Sequence, residues 1–176
     1  MSVRRICLIA LASAALTGGK LALAALPNIE IVTLLLVVYA LVFGWRDTIT
    51  ACLIFIFFEI LIWGFMLWWI ILYLIYWPAL VSAVALIPKN KYRVYFAAVI
   101  GLLFTACFGI LSTFIEIIFV TSLSNPRFWT YFYFRYAAGF PFFITHVICN
   151  TVTLFFVAPV LYKSLLSLYA RYNKNS

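Results

Sequence analysis

Between Ile49 and Ile87 the chain carries a single charged side chain, Glu59. About 20 residues of helix cross a hydrocarbon layer of about 30 Å. The stretch is therefore too long for one span and right for two, with Gly64 as the natural break. A small protein in water has nowhere to hide so much apolar surface, which commits the chain to lipid. Its 176 residues are 68% hydrophobic, 20% aromatic and 9% charged, unlike any water-soluble domain of that size. The apolar runs are continuous rather than alternating, which argues against a transmembrane barrel. The expected fold is all-α: one polytopic integral membrane domain over residues 1–176, with six transmembrane helices at about 6–26, 29–44, 48–63, 65–87, 94–119 and 137–168.

The first two helices meet at Pro27-Asn28-Ile29-Glu30. Proline removes a backbone donor and pushes the preceding residue out of the helical region, so the first run ends there. Asn28 is placed to cap the next helix, and Glu30 falls in its first turn, where the helix dipole favours a carboxylate. The second run is short for a span and stops at Gly44-Trp45-Arg46-Asp47, an interfacial aromatic beside a charge pair. A carboxylate at the tip of a membrane hairpin is costly unless something uses it.

Arg4 and Arg5 precede the first apolar run, and the small residues Ala12, Ser13 and Ala14 resemble a signal-peptide cleavage region. The run continues past them for a full membrane-spanning length and is followed at once by another span, which favours a retained helix. Lys20 is the only charge inside it. Ala10, Ala14, Gly18 and Ala22 recur every four residues and share a helix face. A face of small residues lets a second helix approach closely; that helix could belong to a partner or to this chain. Further on, Ser122 to Arg135 is the longest polar interruption and reads as a loop with a short interfacial segment. The last helix is then entered through Gly139 and Pro141 and carries His146 and Asn150 four residues apart on one face. The four cysteines, at positions 7, 52, 107 and 149, sit singly in separate apolar runs and read as small buried apolar side chains.

With six spans, nine Lys and Arg residues fall on the side of the N-terminus and two, Arg127 and Arg135, on the other. The positive-inside rule then puts both termini in the cytoplasm. The net charge of +8 is topological in origin, since the cations lie in short loops and tails, and it does not indicate nucleic acid. In this orientation Asn28, Glu30, Glu59, Glu116, Arg135, His146 and Asn150 all fall toward the outer side. Trp63, Trp69 and Tyr73 belong to an aromatic cluster there, of the kind that can stack on a ligand. The inner half carries almost nothing ionisable, whereas an ion pathway needs polar groups through the full depth. An outward-facing pocket for a small molecule is the expected device, with no cofactor and no metal. Enzyme chemistry is poorly provided for: Asp47 is the only aspartate, no serine has a glycine-rich setting, and the four acids are scattered singly.

Four stretches resemble the substrate-binding (S) components of energy-coupling-factor (ECF) transporters, which capture vitamins and related micronutrients in prokaryotes. PNIEIVTLL at 27–35 and YALVFG at 39–44 look like that family's first hairpin and second helix. EILIWG at 59–64 with YLIYWPAL at 73–80 resembles its third and fourth helices. GFPFFITHVICN at 139–150 is similar to a sixth-helix pattern of Gly-x-Pro-Phe-Asp followed by His and Asn, with Phe143 in place of the aspartate and Cys149 in place of a glycine. The resemblance implies a multi-pass protein of a prokaryotic cell membrane that binds its substrate on the outer side. It also implies docking, through Ala10, Ala14, Gly18 and Ala22, onto a transmembrane coupling protein carrying two ATPase subunits. The chain has no phosphate-binding loop of its own, so ATP hydrolysis would belong to those partners. The competing expectation is a structural membrane protein of the rod-shape-determining type, which needs packing faces but no outward polar cluster. A planar heterocycle bearing polar groups suits the aromatic and charged side chains.

Overall fold

A computed structural model describes residues 2–174, so the two ends of the 1–176 domain fall outside the described residues. All regular structure in that range is helical: α1 (Val3–Ala22), α2 (Val32–Val42), α3 (Trp45–Trp63), α4 (Leu67–Ala85), α5 (Arg93–Thr121), α6 (Phe128–Val152) and α7 (Ala158–Lys174). A π-helical segment, Thr153–Val157, joins α6 to α7 without a break. Four helical stretches are long and apolar enough to cross a membrane: α1, α4, α5 and the continuous Phe128–Tyr172. At 19 residues α3 matches α4 in length, but it carries Arg46, Asp47 and Glu59.

The short second helix is the hub of the molecule. α2 has 11 residues, and ten of them are buried, on every side of the helix. A helix that is apolar all round belongs in a core, and α2 touches α1, α3, α4, α5 and α7. At 1.5 Å per residue it is only about 16 Å long, well under the thickness of a hydrocarbon layer. It can be that short because other helices surround it. The expected helix over 29–44 is trimmed at both ends, since Asn28 takes a left-handed backbone (φ 57) and Gly44 also turns the chain with a positive φ of 84. Asn28 is thus the pivot of the α1–α2 turn and not a helix cap, a role that asparagine tolerates better than most residues. Glu30 lies in this connection, before the helix, and its Oε2 accepts from the Thr33 backbone N–H at 2.9 Å. The break at Gly64 appears where expected, with φ 87.

The largest departure from the sequence-based expectation is at the start of the last helix. Residues 128–135, expected within a loop holding a short interfacial segment, are part of the continuous helix. The sequence FWTYFYFRY has no internal glycine or proline, and Asn125-Pro126 immediately before it supplies the turn: Asn125 Oδ1 accepts from Arg127 N at 2.8 Å. Gly139 and Pro141, expected at the entrance of the helix, lie well inside it. The cysteines also differ from expectation, because Cys52 is buried whereas Cys7 and Cys107 are exposed.

Tight helix crossings position the last helix against the rest. A Cβ on Gly101 would come within 2.9 Å of the Leu154 side chain and 3.3 Å of Val37, so α5 presses directly on α2 and the π segment. A Cβ on Gly109 or on Gly139 would meet the Phe143 ring, at 2.6 and 2.8 Å. Phe143, which stands where the resemblance expects aspartate, is therefore a ring seated in a two-glycine notch between α5 and α6.

Candidate functional site

A cavity of about 440 Å³ lies beneath the α1–α2 and α3–α4 connections. Pockets for small organic molecules run from about 300 to 1,000 Å³. Of the residues expected at a site, Asn28, Glu30, Glu59, Trp63, Trp69, Tyr73 and His146 line it. Asn150 stands one layer deeper, fully buried behind Glu30. Glu116 and Arg135 do not line the cavity; they pair with each other at 2.9 Å and tie the end of α5 to the start of α6. Phe143 is not in the wall either, so the departure from the family pattern at that position does not alter the cavity surface.

Two carboxylates, Glu30 and Glu59, line the cavity from different parts of the chain. Glu30 Oε1 accepts from Asn150 Nδ2 at 2.8 Å and lies 3.1 Å from His146 Nε2, while Oε2 is held by the Thr33 N–H. Asn150 Nδ2 also donates to Thr105 Oγ1 at 3.0 Å, so one network joins α2, α5 and α6 to the α1–α2 connection. Burial alone would push the Glu30 pKa up. The hydrogen bond and charge of His146 outweigh it, with help from Thr33 and Asn150, and hold the carboxyl below its usual range. The four-residue spacing of His146 and Asn150 thus does what spacing on one face implies: both side chains meet the same glutamate.

Glu59 reaches the cavity from α3. Its Oε2 pairs with Lys20 Nζ, and the same ammonium donates to Tyr73 Oη at 2.9 Å. Lys20 also lies over the Tyr73 ring, 4.7 Å from its centroid, and 5.8 Å from that of Phe55. Lys20 lines the cavity and had not been expected at the site. The signal was present, because a lone lysine in one apolar run and a lone glutamate in another have to find each other in a low-dielectric interior.

Aromatic rings complete the wall. Trp69, Tyr73 and Trp77 follow one another at four-residue steps along α4, with centroids 5.5 and 6.0 Å apart, and all three face the cavity. Phe108 meets His146 edge to face at 5.2 Å. Among the described residues, three lining side chains each leave a buried polar atom without a hydrogen-bond partner: Glu59 Oε1, Trp77 Nε1 and His146 Nδ1. Unmet hydrogen-bonding groups of this kind are uncommon in folded proteins. Away from the cavity, the core around α2 is apolar: Leu36, Val37, Val38, Cys52, Leu80, Val81 and Val84 are all buried.

The small-residue face of α1 points away from all of this. Ala10, Ala14, Gly18 and Ala22 are exposed, and a Cβ on Gly18 would meet nothing within 4 Å. The inward face of α1 is Ile9, Ala12, Ser13 and Leu16 instead, and Gly19 packs against Ile31. Packing of the small face within the chain is therefore excluded. Comparison with protein-family models, with curated proteins and with solved structures gives no match for this chain.

Proposed function

We propose that this chain is a membrane-embedded capture protein for a small organic molecule, of the kind that serves as the S component of an ECF-type importer. The observation that carries the reading is the cavity itself, in which Lys20, Glu30, Glu59 and His146 are set among aliphatic and aromatic side chains. The ionisable groups that line the cavity sit at one end of α2, and the apolar packing around the rest of that helix offers no route for an ion or a polar solute to pass through unaided. Uptake would then need a partner to drive it. The exposed face of Ala10, Ala14, Gly18 and Ala22 is the surface we assign to a transmembrane coupling protein bearing two ATPase subunits. The setting is a prokaryotic cell membrane crossed six times, with both termini inside.

The test is to purify the protein from its native host and identify co-purifying small molecules by mass spectrometry. The reading expects one compound in near-stoichiometric amount, lost from Glu30→Ala and His146→Ala protein. A preparation that carries no compound, and binds none from a native small-molecule extract, would overturn it.

A further inference from the structure

We infer that Lys20 is the specificity determinant of the cavity: its ammonium fills the position a cationic ligand would take, so the site accepts an uncharged ring compound and rejects cations and anions. The inference rests on the capture reading for the existence of a ligand, and on different residues for its chemistry.

Aromatic rings beside a buried carboxylate ordinarily make a receptor for cations. Trp63, Trp69, Tyr73 and Trp77 with Glu59 form such a set here. The place is already taken. Lys20 Nζ is paired to Glu59, donates to Tyr73 Oη and lies 4.7 Å from the Tyr73 ring centre. A ligand cation would have to displace an ammonium that is covalently part of the wall. An anion fares no better, because the cavity's ammonium, Lys20, is already matched by Glu59.

What remains for a ligand is hydrogen bonding without net charge. Glu59 Oε1 can only accept and Trp77 Nε1 can only donate, and neither has a partner among the described residues. The Glu30 oxygens accept only, so His146 Nε2 carries the proton between them, and His146 Nδ1 has no partner among the described residues. Glu59 and Trp77 both line the cavity, and a compound that carries a donor and an acceptor beside a flat ring, as amides, lactams and ureas do, matches their chemistry.

Benzamide, benzamidine and benzoate share one shape and differ in charge, which makes them suitable probes. Their binding to the purified full chain in nanodiscs is measured by equilibrium dialysis, with tryptophan fluorescence as a second readout. Wild-type protein is expected to prefer benzamide over both charged analogues by at least tenfold. Lys20→Met, which leaves Glu59 unpaired in the aromatic wall, is expected to invert the order in favour of benzamidine, and benzamidine should raise its melting temperature. The further change Glu59→Gln should abolish that gain. If Lys20→Met does not fold, Lys20→Gln replaces it with the same expectation. Wild-type protein binding benzamidine or benzoate as well as benzamide would overturn the inference, and so would failure of both Lys20 variants to gain benzamidine binding. A charged compound co-purifying with the native protein would sink this inference and leave the capture reading standing. Inversion of the probe order in a protein that carries no native compound would do the reverse.

Discussion

The two buried glutamates face one cavity in opposite states of satisfaction. Glu30 is fully engaged, with Asn150 and His146 on one oxygen and a backbone N–H on the other. Glu59 has one oxygen on Lys20, and its other oxygen has no partner among the described residues. The partners of Glu30 lie on α6 and on the first turn of α2, the central helix, and Asn150 extends the network to Thr105 on α5, so it works as a fastening. Glu59 is held by one flexible side chain and keeps bonding capacity in reserve, which is what a recognition group requires. Polar groups that look equivalent by type and depth are thereby divided into one that is saturated and one that keeps an unpaired oxygen.

The comparison can be broken most forcefully at Lys20. Lys20→Ala strands a buried carboxylate and is expected to destabilise the protein by about 3–5 kcal/mol, measured by thermal unfolding in detergent. Lys20→Met combined with Glu59→Leu removes both charges and should recover most of that loss, because a buried ion pair adds little net stability over apolar packing. If the double variant is as unstable as the single one, the pair holds the fold and the contrast with Glu30 disappears. A smaller effect is expected at the saturated node, where Glu30→Ala should cost about 1–3 kcal/mol through unpaired His146 and Asn150. Ligand binding should fall together with stability there.

Acid sharpens the same contrast. The Glu30 carboxyl is held below its usual range, so its contribution to stability is complete above the unfolded value of about 4.3 and is lost as pH falls through the lower folded value. Glu30→Gln should flatten that part of the stability–pH curve. An unchanged acid limb would show that the His146 and Asn150 contacts do not favour the charged form. The smallest effect on stability is expected at Gly18, which serves as the control for both nodes. Its Cβ position is open, so Gly18→Leu should leave unfolding and ligand binding within about 0.5 kcal/mol of wild type. Uptake in cells supplying the coupling partners should nevertheless be lost. Normal uptake by that variant would remove the α1 face from the proposal.

Much of the fold was legible because lipid and backbone leave few choices. Continuous apolar runs have to be helices when water is absent, and Gly44, Gly64 and Pro27 mark turns by their own backbone preferences. The start of the last helix was misread because polar and aromatic composition over 122–135 resembles a loop, whereas the short Asn125-Pro126 turn decides where the helix begins. The ten expected site residues were chosen by type and depth, which placed seven of them in the wall and Asn150 just behind it. Glu116 and Arg135 were misassigned for the same reason: depth along a helix says nothing of the direction a side chain faces around the bundle.

The sequence by itself determined the helical class, the turns near Pro27, Gly44 and Gly64, and most of the polar side chains that line the cavity. These follow from local backbone chemistry and from the cost of polar groups in an apolar medium. The tertiary structure alone decided that α2 is the buried hub, that Lys20 and not solvent neutralises Glu59, and that Phe143 fills a glycine notch outside the cavity. It also decided that the small face of α1 is left open. Each of those outcomes depends on the rotation of one helix against its neighbours, which the packing of side chains distant in the chain sets and local sequence does not encode.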